Sequence, residues 1–189
     1  MGNFDFFSVS DEQRARAAAH VKQAAMAAGH IPDIPANTPL RPIRQVAVIG
    51  AGTMGGGIAM SLANMGVPVV LVDANAQGLE RGLQRVRDNY ATSVKRGKLT
   101  EDEMTQRLAR ITGSLQLKEA AQADLFIEAV FEDLPLKQGI FRELDAIAKP
   151  GAILATNTSG LDVDDIAAVT PAAARCGGCA LFQPCPCDA

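Results

Sequence analysis

The chain has 189 residues, 48% of them hydrophobic and 21% charged, with a net charge of −3. That composition suits one medium folded domain plus an appendage, and basic residues scattered singly through a mildly acidic chain leave no footprint for nucleic acid. No run approaches the ~20 apolar residues of a membrane span, and "MGNFDFFSVSDEQ" has no cationic segment leading into an apolar stretch, so no membrane partner and a cytoplasmic location are expected.

Residues 8–29 read as one helix: Ser10 and Gln13 have capping-box spacing, "RARAAAHVKQAAMAAG" is rich in alanine, and Gly29 offers a left-handed stop. Residues 1–30 are taken as this N-terminal helical segment. A proline-rich linker, 31–43, follows, in which Pro32, Pro35, Pro39 and Pro42 hold the chain extended. A linker needs a neighbour on both sides, and the chain is expected to begin inside something larger.

From residue 44 the pattern changes. "QVAVI" is a short β-branched strand, "GAGTMGGG" a glycine turn, "IAMSLANMG" a helix stopped by Gly66, and "VPVVLVD" a second strand ending at Asp73. A polar helix from about Ala76 to Arg96 is stopped by Gly97, and a second helix starts at "TEDE", where Thr100 and Glu103 offer another capping box. The strand "RITGS", the strand "ADLFIEAV", the helix "LPLKQGIFRELDAIA" and the strand "GAILATN" complete the run. Alternating strands and helices predict an α/β fold, a Rossmann-type doubly wound parallel sheet of order 3-2-1-4-5-6 with a helical pair inserted after the second strand.

The spacing Gly50, Gly52, Gly55 fits G-x-G-x-x-G, whose glycines permit a tight turn, close approach of a pyrophosphate and close helix–strand packing. The helix starting at Thr53 and Met54 aims free amides and a positive dipole end at the phosphates. Asp73 lies roughly twenty residues beyond the first glycine, where a carboxylate accepts bonds from the adenosine ribose hydroxyls and repels a phosphate. NAD rather than NADP is therefore the expected cofactor. The plain alternative is a helix-capping aspartate beside packing glycines.

"VAVIGAGTMGGGIAMSLANMGVPVVLVDAN", "ADLFIEAVFEDLPLKQGIFRELD" and "KPGAILATNTSGLDV" resemble the NAD-binding domain of the 3-hydroxyacyl-CoA dehydrogenases, in the form found in multifunctional fatty-acid oxidation enzymes. The resemblance covers about Leu40 to Thr170, and its E-A-V-x-E and N-T-S blocks are more specific than the glycine turn. It implies oxidation of a 3-hydroxyacyl-CoA to the 3-ketoacyl-CoA, an acyl-CoA partner, and oligomeric full-length relatives. It also implies that Glu128, Ala129 and Val130 line the nicotinamide side, that Glu132 and Lys137 lie near the cofactor, and that Asn157 and Ser159 face the reacting oxygen as catalytic candidates. Lys137 can equally belong to a solvated charge pattern at a helix start, and Asn157 and Ser159 can be turn formers. Gly160 departs from the Ser or Thr usual in the family. Two alternatives stay open: a non-catalytic NAD-binding module, and another NAD-dependent 3-hydroxyacid dehydrogenase sharing G-x-G-x-M-G, against which "EAVFEDL" argues.

The family's catalytic base is a histidine in an H-F-F-S-P-type block, yet the chain's histidines are His20 and His30, both before the glycine turn. Where that block is expected stands "RCGGCALFQPCPCDA", which holds all four cysteines, Cys176, Cys179, Cys185 and Cys187. Structural zinc sites bracket a folded element between two knuckles, and five residues between these pairs leave no room for one, so no metal is expected. The degenerate codons of Gly178 to Asp188, read one base later, can spell G-V-H-F-F-S-P-A-H-V-M. The expectation is a reading frame lost near Arg175: a cofactor domain over 44–175, an unstructured tail over 176–189, "GAILATN" left as an exposed sheet edge, and no catalysis.

Overall fold

The computed structural model describes residues 9–28, 35, 37–170 and 176–178, and the chain divides into two units, Met1–Arg41 and Pro42–Ala189. The first unit holds helix α1, Asp11–Ala28. Its expected capping box forms, with Ser10 N–H donating to Gln13 Oε1 at 2.9 Å and Gln13 N–H to Ser10 Oγ at 3.2 Å. None of its residues is buried. Gly29 and Pro32 of the linker lie outside the described residues.

In the second unit the elements are β1 (Val46–Ile49), α2 (Thr53–Asn64), β2 (Val69–Val72), α3 (Ala76–Lys95), α4 (Glu101–Leu108), β3 (Ile111–Ser114), β4 (Leu125–Glu128), α5 (Leu134–Ile147), β5 (Ile153–Thr156), α6 (Val163–Ala167) and β6 (Cys176–Gly178). All pairings are parallel, in the order β3-β2-β1-β4-β5-β6. This is the Rossmann-type order expected from the alternation, with the α3–α4 pair inserted after β2. A 3₁₀ turn at Leu117–Ala120 and the short α6, capped by Asp162, were not expected from the sequence.

One expectation is corrected by the last strand. Cys176, Gly177 and Gly178 pair with Leu154, Ala155 and Thr156, so the start of the tail is sheet and β5 is not an edge. A parallel ladder is made by main-chain N–H and C=O groups, which these residues supply whatever their side chains. The remaining cysteines lie outside the described residues.

Alternation along the strands sorts the core into two layers. Ala47, Ile49, Val70, Val72, Phe126 and Leu154 pack on one face with Phe141 and Leu144 of α5 and Ile166 of α6. Val46, Val48, Val69, Leu71, Ile127 and Ala155 pack on the other with Ile58 and Ala59 of α2 and Leu79 of α3. β1 and β2 are buried throughout, as both-faces-covered parallel strands must be. The α3–α4 pair has its own small core of Val86, Tyr90 and Leu99. Tyr90 ties it to α2, its hydroxyl bonding Met60 O at 3.2 Å and Asn64 Oδ1 at 3.0 Å. Burial pushes that phenol above its ordinary range. Both halves of the Thr100–Glu103 capping box form at the start of α4. No helix among the described residues is long and apolar enough to cross a membrane.

Candidate functional site

The register levels the carboxyl ends of the central strands: Val72 sits beside Ile49, Ile49 beside Glu128, and Glu128 beside Thr156. The residues that follow, Asp73, Gly50, Ala129 and Asn157, therefore form one rim. Three of its links continue the ladder, Gly50 N–H to Val72 O (2.7 Å), Ala129 N–H to Ile49 O (2.8 Å) and Asn157 N–H to Glu128 O (2.7 Å). The order reverses between β1 and β4, and ligands of doubly wound sheets bind in the crevice at such a point.

The glycine turn is built there, and two of its three motif glycines have a steric reason. Gly50 adopts φ +104°, in the left-handed region, and a Cβ on it would lie 2.7 Å from Ala129 O. A Cβ on Gly55 would fall 1.8 Å from Gly50 O, so the first turn of α2 rests directly on the glycine loop. Gly52, the N-cap of α2, differs: a Cβ on it meets nothing within 4 Å. Packing does not demand that glycine, and the open space in front of it is the cavity. Thr53 and Met54 begin α2 beside it.

That cavity, about 840 Å³, is walled by Gly50, Gly52, Asp73 and Val130 among the expected residues. Asp73 is anchored from both sides, its Oδ2 accepting Ala51 N–H at 2.9 Å and its Oδ1 accepting Asn75 N–H at 2.9 Å. Carboxylate oxygens each hold two acceptor sites, so capacity for ribose hydroxyls remains. Leu115, Leu117 and Ile140 supply an apolar side. Two residues that the sequence reading did not single out, Arg81 and Arg85 of α3, also line it. The backbone of α3 comes close because its near face is glycine: a Cβ on Gly82 would lie 2.3 Å from Ala51 O, and one on Gly78 3.2 Å from Asp73 Oδ1. Gly78, Arg81, Gly82 and Arg85 follow i, i+3, i+4, i+7 spacing, one helix face, and that spacing is the signal that could have found them.

At the other end of the rim the expected nicotinamide-side residues separate into layers. Glu128 points inward and is fully buried with Lys137. Lys137 Nζ donates to both Glu128 oxygens at 2.9 Å, while Thr156 Oγ1 donates to Oε2 at 2.6 Å and Val130 N–H to Oε1 at 2.7 Å. The solvated reading of Lys137 is thus overturned: on α5 it shares the buried stripe with Phe141 and Leu144, at i, i+4 and i+7. It also approaches Asn157 O at 3.5 Å and Glu132 Oε2 at 3.5 Å.

Glu132 bridges the β4 and β5 loops. Its Oε1 accepts the Thr158 hydroxyl and the Ser159 and Gly160 amides, the last two at 3.0 and 3.1 Å. The Thr158 hydroxyl first, then those amides and Lys137, hold its carboxyl down to about 2. Asn157 is half-buried and Ser159 exposed on this loop, and neither is on the cavity wall. Gly160 keeps its amide in the network despite its departure from the expected residue.

A glycine turn open to a cavity, a carboxylate at the end of β2 and exposed guanidinium groups without a carboxylate partner among the described residues fit a dinucleotide with two phosphates. Fold and site define a dinucleotide-binding domain of the Rossmann type. The profile described as "3-hydroxyacyl-CoA dehydrogenase, NAD binding domain" matches residues 45–187, and the chain belongs to that family. NAD is the family's cofactor.

The chain is 39% identical over 171 residues to a peroxisomal fatty acid beta-oxidation multifunctional protein, AIM1, of Arabidopsis thaliana, covering 90% of this chain and 24% of that one. It is 42% identical over 144 residues to a probable 3-hydroxybutyryl-CoA dehydrogenase of Bacillus subtilis, covering 76% of this chain and 50% of that one. Among solved structures, M. tuberculosis FadB2 superposes with TM-score 0.75 at 36% identity, over 76% of this chain and 51% of that one. The dehydrogenase part of multifunctional enzyme 1 from C. elegans gives 0.74 at 27%, over 88% and 40%. The chain thus spans between about a fifth and a half of the relatives it matches. Peroxisomal and bacterial relatives both occur, and they lend no support to the expected cytoplasmic location.

Proposed function

We propose that this domain binds NAD with the adenosine ribose on Asp73 and the pyrophosphate over Gly50, Gly52 and the first turn of α2, serving oxidation of a 3-hydroxyacyl-CoA to the 3-ketoacyl-CoA in the protein to which it belongs. NAD supplies the hydride acceptor. The observation that carries the reading is Gly52, a glycine that no packing contact requires and that opens on the cavity shared with Asp73. The N-terminus of α2 offers unbonded amides and a positive dipole end to the phosphates. Val130 and Ala129, at the end of β4, bound the nicotinamide side. Glu128 and Lys137 act from beneath it: they fix the ends of β4 and β5 against α5 and do not touch the cofactor. Glu132 secures the loop that carries Asn157 and Ser159, which face the reacting hydroxyl or keto oxygen of the acyl-CoA.

Hydroxyl oxidation also needs a base. Neither histidine of the chain, His20 or His30, stands in the H-F-F-S-P-type block in which the family places its base. The 189-residue chain by itself is therefore expected to bind NADH without reducing acetoacetyl-CoA above background. Fluorescence titration tests the binding part: NADH should bind more tightly than NADPH, and Asp73→Ala should weaken NADH and narrow the difference. Equal affinity of the unsubstituted chain for the two cofactors would remove Asp73 from the ribose position.

A further inference from the structure

Helix α3 runs along the cavity from the tip of β2 to the start of α2. Its position is fixed at three successive points. Gly78 lies against Asp73, Gly82 lies against Ala51 in the glycine turn, and Arg85 Nη1 donates to Thr53 Oγ1 at 3.2 Å. Arg81 projects into the same cavity between the first two points. Helical side chains lean toward the N-terminus of their helix and cover the preceding turn. Arg81 is thereby directed toward Gly78 and Asp73, and Arg85 toward the glycine turn and the first residue of α2. Both arginines are exposed, and neither has a carboxylate partner among the described residues.

Two guanidinium groups without a carboxylate partner among the described residues, one helical turn apart, face a cavity whose wall holds the carboxylates of Asp73 and, on α5, Glu143; Gly78 of their own helix lies against Asp73. Guanidinium forks match phosphate oxygens, and the bonds they make to phosphate are charge-assisted. We propose that Arg85 binds the pyrophosphate and that Arg81 is a second determinant of cofactor choice, a latent site for the phosphate on the adenosine ribose of NADP that Asp73 masks. With Asp73 in place, the carboxylate repels a ribose phosphate and Arg81 serves NAD little. Without it, Arg81 becomes the phosphate's partner. This rests on the proposed NAD site, and the two assignments separate experimentally because they make different demands on the same pair of cofactors.

The test is titration of NADH and NADPH against the full chain and its Arg85→Ala, Arg81→Ala, Asp73→Ala and Asp73→Ala/Arg81→Ala forms. Arg85→Ala should weaken both cofactors alike, by about tenfold at low ionic strength, and the loss should shrink in 0.5 M salt. Arg85→Lys should recover part of it. Arg81→Ala should change NADH affinity less than twofold, whereas adding it to Asp73→Ala should weaken NADPH by about tenfold and leave NADH nearly as it was. Both side chains are exposed, so unchanged melting temperatures will show that folding is not the cause. If Asp73→Ala weakens NADH while the arginine forms bind both cofactors as their parents do, the arginine assignment is wrong and the NAD site stands. If the unsubstituted, folded chain binds no NADH, both fall together.

Discussion

Replacing Lys137 by methionine isolates the buried network beneath the rim. The substitution keeps the length of the side chain and removes the ammonium, leaving the Glu128 carboxylate fully buried with the Thr156 hydroxyl and the Val130 amide as its remaining partners. Removing one member of a buried pair typically costs 3–5 kcal/mol, because an uncompensated charge stays in the interior. Two neutral donors already serve that carboxylate, so the expected loss is about 3 kcal/mol, a fall in melting temperature of roughly 10 °C for a domain of this size. The second arm is the double variant Glu128→Gln/Lys137→Met. The glutamine oxygen can still accept the Val130 amide, its NH2 group in the place of Oε2 can donate to the Thr156 hydroxyl oxygen, and no charge remains, so at least half of the lost stability should return. Urea unfolding followed by circular dichroism measures all four corners of the cycle. A single variant within about 1 kcal/mol of the parent, or a double variant less stable than Lys137→Met, would refute the claim that this pair is a charge-compensated unit.

Gly52 and Gly55 should separate function from folding. Gly52→Ala is expected to keep the parent's melting temperature and lose NADH affinity, whereas Gly55→Ala drives a methyl group into Gly50 O and should lower both; equal melting temperatures for the two would contradict the steric assignment. Acid should act through two carboxyls. Glu132 is held down to about 2 chiefly by the Thr158 hydroxyl, and Asp124 to about 2 chiefly by Lys149 and then the Arg44 amide. Their folded values lie below the unfolded ~4, so the stabilisation is full above pH ~4 and is lost as pH falls from there through 2. Unfolding curves between pH 5 and 2.5 should show the decline and Glu132→Gln should flatten part of it; a pH-independent midpoint across that range would count against both. Finally, Tyr90→Phe removes a hydroxyl that joins α3 to two groups of α2 and should lower stability by about 1–2 kcal/mol. No change in the urea midpoint would mean that this link contributes nothing.

Much of the fold could be read from residue order because the physics involved is local. β1 and β2 are unbroken apolar runs, as strands covered on both faces must be, and the glycine turn and capping boxes have fixed spacings. What escaped was structure carried by the main chain. β6 is three residues, Cys-Gly-Gly, with neither alternation nor β-branched side chains to announce it, and its ladder to β5 depends on groups every residue has. The expectation of a bare β5 edge failed for that reason, since it equated an atypical side-chain sequence with an absent strand.

The site was legible where a residue's identity is forced by backbone geometry and obscure where it depends on which face a helix turns inward. Gly50 and Gly55 could be placed by motif, because the turn needs a left-handed φ at Gly50 and a Cβ on Gly55 collides with the main chain of Gly50 itself. Arg81 and Arg85 could not, because arginines on a polar helix look the same whether they face bulk water or a cavity. The deciding clue was the glycines that share their helix face, Gly78 and Gly82. Gly78 and Gly82 weaken the helix in isolation, and that weakness makes sense only if something must come close on their side. Lys137 carries the converse lesson. Its charge suggested the surface, yet its spacing to Phe141 and Leu144 placed it on the buried stripe, and Glu128 lies two residues from the buried Phe126 on the face that α5 covers. Charge states what a side chain needs; periodicity states where it goes. When the two conflict, a partner of opposite charge on the facing element resolves the conflict, and β4 supplies it.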